Sequence, residues 1–179
     1  MDAVQAHQQN TANSPIEDLE SELPVYVRRY ELIEDSEGAG RQRGGQGVRR
    51  DLEFHDHQTT FTVLSDRVKS PPWGLFGGHT ARPAKYVLNP GEADATELSS
   101  KSTTKFDPGD VASVQTPGGG GYGDPYERDP DAVREDVRDE RVSVEKAREE
   151  YGVVLDDETL AVDTEATRRL RSETEVGSE

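Results

Sequence analysis

The chain has 179 residues, of which 37 are acidic and 21 are basic, so its formal net charge is −16. A surface this acidic repels phosphate groups and argues against nucleic acid and anionic membranes as partners. The absence of cysteine excludes disulfides and thiolate metal sites. No apolar run approaches the ~18 residues of a membrane span, and the polar residues 1–14 show no signal-peptide pattern. We therefore expect a cytoplasmic protein.

The composition leaves two interpretations open. Only 31% of the residues are hydrophobic, which is lean for a folded domain and also fits an acidic, partly disordered chain. The alternative is a folded protein adapted to high salt, where ions screen the repulsion between surface carboxylates. Apolar segments with strand periodicity favour this second interpretation. The lysine-poor, acid-rich surface resembles that of proteins from salt-loving archaea.

The first part of the chain predicts a tail, a short helix and a strand. Residues 1–13 lack an apolar period, so we expect them to be disordered or an added tail. The Asn-Ser-Pro sequence at residues 13–15 is a typical helix start, and Pro24 ends the helix. The apolar pattern after Pro24 predicts a strand with a bulge or bend near residues 28–29.

A glycine-rich turn at residues 35–47 carries Arg41 and Arg43. Arginine on such a turn usually binds a carboxylate or a backbone carbonyl, and a single Arg-Gly-Gly unit is poor evidence for RNA binding. Val48–Phe54 and Thr59–Leu64 then predict two antiparallel strands. Residues 55–57 lie where their hairpin turn belongs.

The loop at residues 65–78 holds two adjacent prolines, which forbid helix and sheet interior, followed by Trp73, Leu75 and Phe76. These apolar side chains are either part of the core or an anchor for a partner. Core is the more common outcome, and Trp73 is the first choice for a subunit interface. Farther along, residues 85–88 and 103–106 predict short strands, and residues 94–102 predict a loop.

Four consecutive glycines stand at Gly118, Gly119, Gly120 and Gly121. They follow a predicted strand at residues 111–116 and precede a helix start at residues 129–130, an order that suggests a phosphate-binding loop. The tract lacks the lysine and hydroxyl residue of such loops, and it lies too far from the helix start. We therefore favour a backbone that passes close to another segment or subunit.

The last third changes to helical spacing. Residues 130–138 and 164–171 predict helices, and Ser143 is expected to cap another, with Val144, Ala147 and Tyr151 facing inward. Residues 153–155 predict a strand. The fold class is therefore α+β. We expect a tail and short helix (1–22), a β-rich body with glycine-rich loops (23–125) and a region of two or three short helices (126–179).

Histidine offers little support for a catalytic or metal site. His55 and His57 would face the same way on a strand and could share a metal, but a third ligand is missing, so turn residues are the simpler interpretation. His79 stands alone in a loop, and no nucleophile elbow is present. We therefore predict no catalytic residue and no metal ligand in this chain.

Several motifs in order resemble the hydantoinase B/oxoprolinase family, over about residues 10–171. They read NTANSPIEDLESELPVYVRRYEL from residue 10, DSEGAGRQRGGQGVRRDLEF from residue 35, DRVKSPPWGLFGG from residue 66, PGDVASVQTPGGGGYGDPYERDP from residue 108 and SVEKAREEYGVVL from residue 143. Glu37 departs from the pattern, which usually has glycine there. Family members are several times longer, and the matching part is their carboxyl-terminal region.

The resemblance implies a subunit of a complex that opens cyclic amides, such as N-methylhydantoin or 5-oxoproline, at the expense of ATP. The expected partners are a hydantoinase A-type subunit and the missing amino-terminal part of the B subunit. ATP and a divalent metal are expected elsewhere in the complex, and this portion alone is expected to be inactive. The alternatives are a non-catalytic assembly module and a truncated remnant. Arg41, Arg43, Trp73, Phe76 and the four glycines are the candidate interface or structural-loop residues.

Overall fold

The computed structural model describes residues 2–3 and 15–176. The α-helices in this part are α1 (Ile16–Glu22), α2 (Pro130–Arg138), α3 (Val144–Glu149) and α4 (Thr164–Val176). The strands are β1 (Val25–Leu32), β2 (Val48–Phe54), β3 (Thr59–Leu64), β4 (Lys85–Leu88), β5 (Thr96–Glu97), β6 (Lys101–Phe106) and β7 (Val111–Gln115). The predicted α+β class, a β-rich body followed by short helices, is confirmed. The cap at residues 13–14 lies outside the described residues, as does most of the predicted tail.

The strands form two antiparallel sheets. The larger has the order β1-β2-β7-β4-β5, and the smaller pairs β3 with β6. The register of β1 against β2 shifts between Val27 and Arg29, which confirms the bulge predicted from the arginine pair. None of the helices in the described part of the chain is both long and apolar enough to cross a membrane.

The predicted hairpin between β2 and β3 is wrong. β2 pairs with β1 and β7, whereas β3 pairs with β6 in the other sheet. His55 still lies beside β1: its N–H donates to the Pro24 carbonyl, and its ring stacks on that of Tyr26 with the centroids 4.4 Å apart. Asp56 then takes a positive φ of 74°, and the chain passes to the second sheet.

The core between the two sheets is aromatic. Phe106 is fully buried and lies with its ring 5.6 Å from that of Phe54 and 5.1 Å from that of Phe61. Aromatic pairs at these separations add to the stabilisation from apolar burial, which is about 2–3 kcal/mol for a buried phenylalanine. Val25 and Val63 join this cluster from opposite sheets.

The helices α2 and α3 begin as the sequence predicts. The Asp129 carboxylate accepts from the Asp131 N–H with Pro130 at the first helical position, and the Ser143 hydroxyl accepts from the Lys146 N–H. Both helices enclose a second core in which Ala147 and Tyr151 are fully buried. This cluster also includes Ala39, so the helices pack on the glycine-rich turn.

Three smaller predictions were wrong. The expected loop at residues 94–102 contains β5 and the start of β6. The expected strand at residues 153–155 is absent from the described structure, where Leu155 makes only an isolated bridge with Val162. Val144 is exposed, whereas Val142, just before the Ser143 cap, is buried.

Candidate functional site

Three glycine-rich segments, residues 36–47, 72–81 and 117–123, pack backbone against backbone and form what we call the glycine bundle. The Gly38 N–H donates to the Gly119 carbonyl at 2.9 Å and links the first segment to the third. The Gly121 N–H donates to the His79 carbonyl at 3.0 Å, and the His79 N–H donates to the Ala39 carbonyl at 2.7 Å. Each segment is therefore hydrogen-bonded to both others.

The four-glycine tract lies at the centre of the glycine bundle. A Cβ on Gly118, Gly120 or Gly121 would overlap the carbonyl oxygen of Ser36, Trp73 or Ala39, respectively. Gly119 is less crowded, since its nearest neighbour would be the Gly45 nitrogen at 3.1 Å. The tract passes close to two other segments, and only a backbone without side chains fits this space.

The geometry does not suit a phosphate loop. The N–H groups of Gly119 and Gly121 already donate to carbonyl oxygens within the glycine bundle. The tract leads into a short 3-10 helix, Pro125–Glu127, whose N-terminus is capped by the Asp124 carboxylate. A carboxylate at that position would repel a phosphate, so this tract does not fit the triphosphate of ATP.

A buried ionic network holds the glycine bundle to α2. Asp136 Oδ1 accepts from Arg43 Nε at 2.8 Å, Asp136 Oδ2 accepts from Arg128 Nη2 at 2.6 Å, and Arg141 Nη1 lies 3.7 Å away. Arg43 also donates to Asp2 Oδ1 at 2.7 Å, and this hydrogen bond lowers the pKa of Asp2 to about 2. Arg43 is therefore engaged inside the chain and is not available for a partner's carboxylate.

Glu37, the residue at which the family pattern has glycine, is fully buried. Lys146 Nζ lies 3.1 Å from Glu37 Oε1 and also donates to the carbonyls of Glu37 and Asp35 at 2.7 and 3.1 Å. Burial raises the pKa of the Glu37 carboxyl, and Lys146 opposes that shift. The pair joins the glycine bundle to α3. Its two residues are 109 positions apart, so no local sequence pattern predicts the contact.

The histidines do not form a metal site in the described structure. His55 packs against Tyr26 at the end of β1, and His79 Nδ1 lies 3.0 Å from Glu150 Oε2. Within residues 2–3 and 15–176, no group of three histidine, aspartate or glutamate side chains could hold a metal ion. The residues described here therefore do not fit a divalent metal.

Apolar side chains project from one end of the glycine bundle. Trp73 is 64% exposed and Phe76 is 77% exposed, with Leu75 and Tyr122 beside them. The Phe76 and Tyr122 rings lie 5.1 Å apart, and Phe76 takes a positive φ of 52°. The expectation that this loop belongs to the core is wrong, because the bundle packs through backbone and leaves these side chains outside. We call these four residues the apolar patch.

Arg41 lies on the surface. Its Nη1 is 3.4 Å from the Glu127 carboxylate, and both side chains are more than half exposed. A pair of this kind contributes little stability. An interface role for Arg41 and for the apolar patch stays a prediction.

One face of the larger sheet forms a charged cleft of about 1030 Å³. The strand register aligns Glu31, Arg49, Gln115 and Lys85 in one row across β1, β2, β7 and β4. The other charged residues that line this cleft are Arg29, Glu34, Arg82 and Glu140. This cleft was not predicted from the sequence, since its residues are scattered over more than one hundred positions.

The family model for hydantoinase B/oxoprolinase matches residues 1–125 of the chain. An uncharacterised protein of Methanocaldococcus jannaschii is 41% identical over 89% of this chain and 28% of its own length. The caprolactamase subunit beta of Pseudomonas jessenii is 36% identical over 79% of this chain and 25% of its own length.

Similarity extends to a solved structure. The crystal structure of the ATP-dependent caprolactamase from Pseudomonas jessenii superposes with a TM-score of 0.78 and 34% identity, over 88% of this chain and 28% of that one. The chain thus spans less than a third of the length of the relatives it matches.

Proposed function

The chain belongs to the hydantoinase B/oxoprolinase family, and we propose that it forms the carboxyl-terminal part of a B-type subunit in an ATP-dependent hydrolase of cyclic amides. The family match over residues 1–125 is the observation that carries this proposal. The structural similarity to a caprolactamase supports it, because that enzyme is named for opening a cyclic amide. Hydantoins, 5-oxoproline and lactams are the substrate class.

In this proposal the described residues supply a scaffold and not the reacting groups. The glycine tract does not fit ATP phosphates, and the described carboxylates and histidines do not fit a metal. We assign ATP use to a hydantoinase A-type partner and metal binding to the amino-terminal part of the B subunit. ATP would supply the phosphoryl group that activates the ring carbonyl oxygen. The buried network around Arg43 and Asp136 keeps the glycine bundle rigid against the helices.

Activity is expected only in the assembled complex. The purified chain should not hydrolyse 5-oxoproline, a hydantoin or caprolactam, with or without ATP and magnesium. Ring opening should appear when the chain is combined with an amino-terminal B fragment and an A-type subunit, and chromatographic detection of product is the measurement. Turnover by the chain alone that is lost in His55→Ala or His57→Ala would contradict the proposal.

An assembly role is the second candidate, and the apolar patch favours it because several large exposed apolar side chains on neighbouring segments are typical of interfaces. The double variant Trp73→Ala with Phe76→Ala should lose capture of the amino-terminal B fragment. Leu64→Ala is the matched control, since Leu64 is also highly exposed but lies on β3 outside the patch. Equal capture by the double variant, the control and the unchanged chain would argue against the patch as the contact surface.

We further propose that the chain works in a salt-rich cytoplasm. A net charge of −16 on a lean core implies repulsion that is largely screened at molar salt. The melting temperature should therefore rise as potassium chloride increases from about 0.1 M to above 1 M. Circular dichroism across that series is the measurement, and an unchanged melting temperature would count against salt adaptation.

A further inference from the structure

The charged cleft has chemistry that the proposed scaffold role does not use. Most of its basic side chains are neutralised: Arg49 forms a two-point contact with Asp51, Arg29 lies 3.2 Å from Glu31, and Lys85 lies 3.5 Å from Glu97. Arg82 differs. Among the described residues no carboxylate lies within 4.0 Å of its guanidinium.

Arg82 is nevertheless held in place. The backbone N–H of Arg82 donates to the Ser36 carbonyl at 2.9 Å, and this hydrogen bond joins Arg82 to the glycine bundle. Its Nη2 donates to Gln115 Oε1 at 2.7 Å, and Gln115 Nε2 donates to Ser113 Oγ at 3.1 Å. Gln115 and Ser113 are both buried. A fixed amide therefore orients the guanidinium, and its Nε and Nη1 groups have no partner within the described structure.

The charged cleft also carries two carboxylates without a neighbouring cation. Glu34 and Glu140 line it, and neither carboxylate has a cation within 4.0 Å among the described residues. Burial and the neighbouring Asp35 and Glu140 carboxylates raise the pKa of Glu34, which reports a negative local potential. An ammonium group would relieve this potential.

The backbone brings Arg82 and the two carboxylates to the same part of the cleft. The Arg82 backbone N–H donates to the carbonyl of Ser36, two residues from Glu34, and the Asp35 N–H donates to the carbonyl of Arg141, one residue from Glu140. A volume of about 1030 Å³ leaves room for a small ligand beside these groups.

We propose that the charged cleft binds a small amino acid in its zwitterionic form, with the carboxylate on Arg82 and the ammonium group facing Glu34 and Glu140. Planar guanidinium groups bind carboxylates through paired, charge-assisted hydrogen bonds, and Lys85 lines the same cleft although Glu97 lies 3.5 Å from it. Opening a cyclic amide yields a carboxylate and an amine on one chain. The choice of ligand therefore rests on the proposed function, whereas the charge pattern stands independently of it.

The test uses two ligands that differ only in the ammonium group, 6-aminohexanoate and hexanoate. They are titrated into the full chain at the lowest potassium chloride concentration that keeps it folded, and amide chemical shifts are followed by NMR. We expect saturable shifts at Arg82, Lys85 and Gln115, with tighter binding of 6-aminohexanoate. Absence of saturable shifts, or equal affinity for both ligands, would overturn the proposal.

Variants separate the contributions of the arginine and the carboxylates. Arg82→Gln should weaken both ligands about tenfold or more, whereas Glu140→Gln should weaken 6-aminohexanoate and leave hexanoate unchanged. Arg168→Gln, an exposed arginine on α4, is the charge-matched control and should change neither. Should Arg82→Gln fail to fold, Lys85→Gln replaces it with an expected loss of about threefold. An unchanged affinity in the folded cleft variant would refute the site.

A failure of the binding test can be distinguished from a failure of the activity test. Binding to the chain without ring opening by the reconstituted complex would remove the proposed function and retain the site. Ring opening by the complex without ligand binding to the chain would retain the proposed function and remove the site.

Discussion

Gly120→Ala is expected to lower the free energy of unfolding by at least about 3 kcal/mol, enough to unfold a domain of modest stability. The added Cβ would overlap the Trp73 carbonyl group and lie 3.0 Å from the Gly74 nitrogen. Backbone cannot yield as a side chain does, and a Cβ at Gly74 would itself overlap the Gly78 carbonyl. The crowding is thus continuous through the glycine bundle, and the whole bundle would have to shift.

Gly91→Ala is the matched control for this prediction. Gly91 has a φ of +90°, but no atom lies within 4 Å of the position that an alanine Cβ would occupy at this turn. The change should cost only the conformational strain of about 1–2 kcal/mol. Urea unfolding at one fixed potassium chloride concentration compares the two variants. Equal midpoints would show that the bundle is looser than its contacts indicate.

Asp136→Ala is expected to have the second large effect, a loss of about 3–5 kcal/mol in the free energy of unfolding. Its carboxylate is 6% exposed and is shared by Arg43, Arg128 and Arg141. Removing it leaves the buried Arg128 guanidinium without a carboxylate, and Arg43 keeps only Asp2. The cost is the desolvation of the unpaired Arg128 charge in addition to the lost hydrogen bonds.

Asp139→Ala, three residues farther along, removes the same group from a more exposed position. Asp139 is 37% exposed and lies 3.3 Å from Arg141. Surface pairs of this kind contribute less than about 1 kcal/mol. Thermal unfolding of both variants is the comparison, and similar losses in the two would mean that the network around Asp136 is not the tie between the glycine bundle and α2.

Local chemistry made part of this structure predictable. The Asp129-Pro130 start of α2, the Ser143 cap of α3 and the bulge before Arg29 are each encoded within a few residues. Periodicity also located most strands. Such signals depend on neighbours along the chain and are independent of what the segment packs against.

Long-range pairing was not predictable in this way. The strands β2 and β3 follow each other closely and read as a hairpin, yet β2 pairs with β7 and β3 pairs with β6, both far along the chain. Glu37 and Lys146 meet across 109 positions, and Arg82 lines a cleft with Glu140. Charged residues at such distances read as solvated surface from sequence alone, and only the fold brings them together.

The glycine bundle also has a genetic consequence. Every glycine codon begins with two guanines, and each missense change at either base gives a residue with a Cβ. At Gly118, Gly120 and Gly121 that atom would overlap a carbonyl oxygen, so no single-nucleotide missense change at these codons is conservative. Purifying selection on the tract would follow from backbone packing alone, and invariance of these glycines among related genes would carry no information about catalysis.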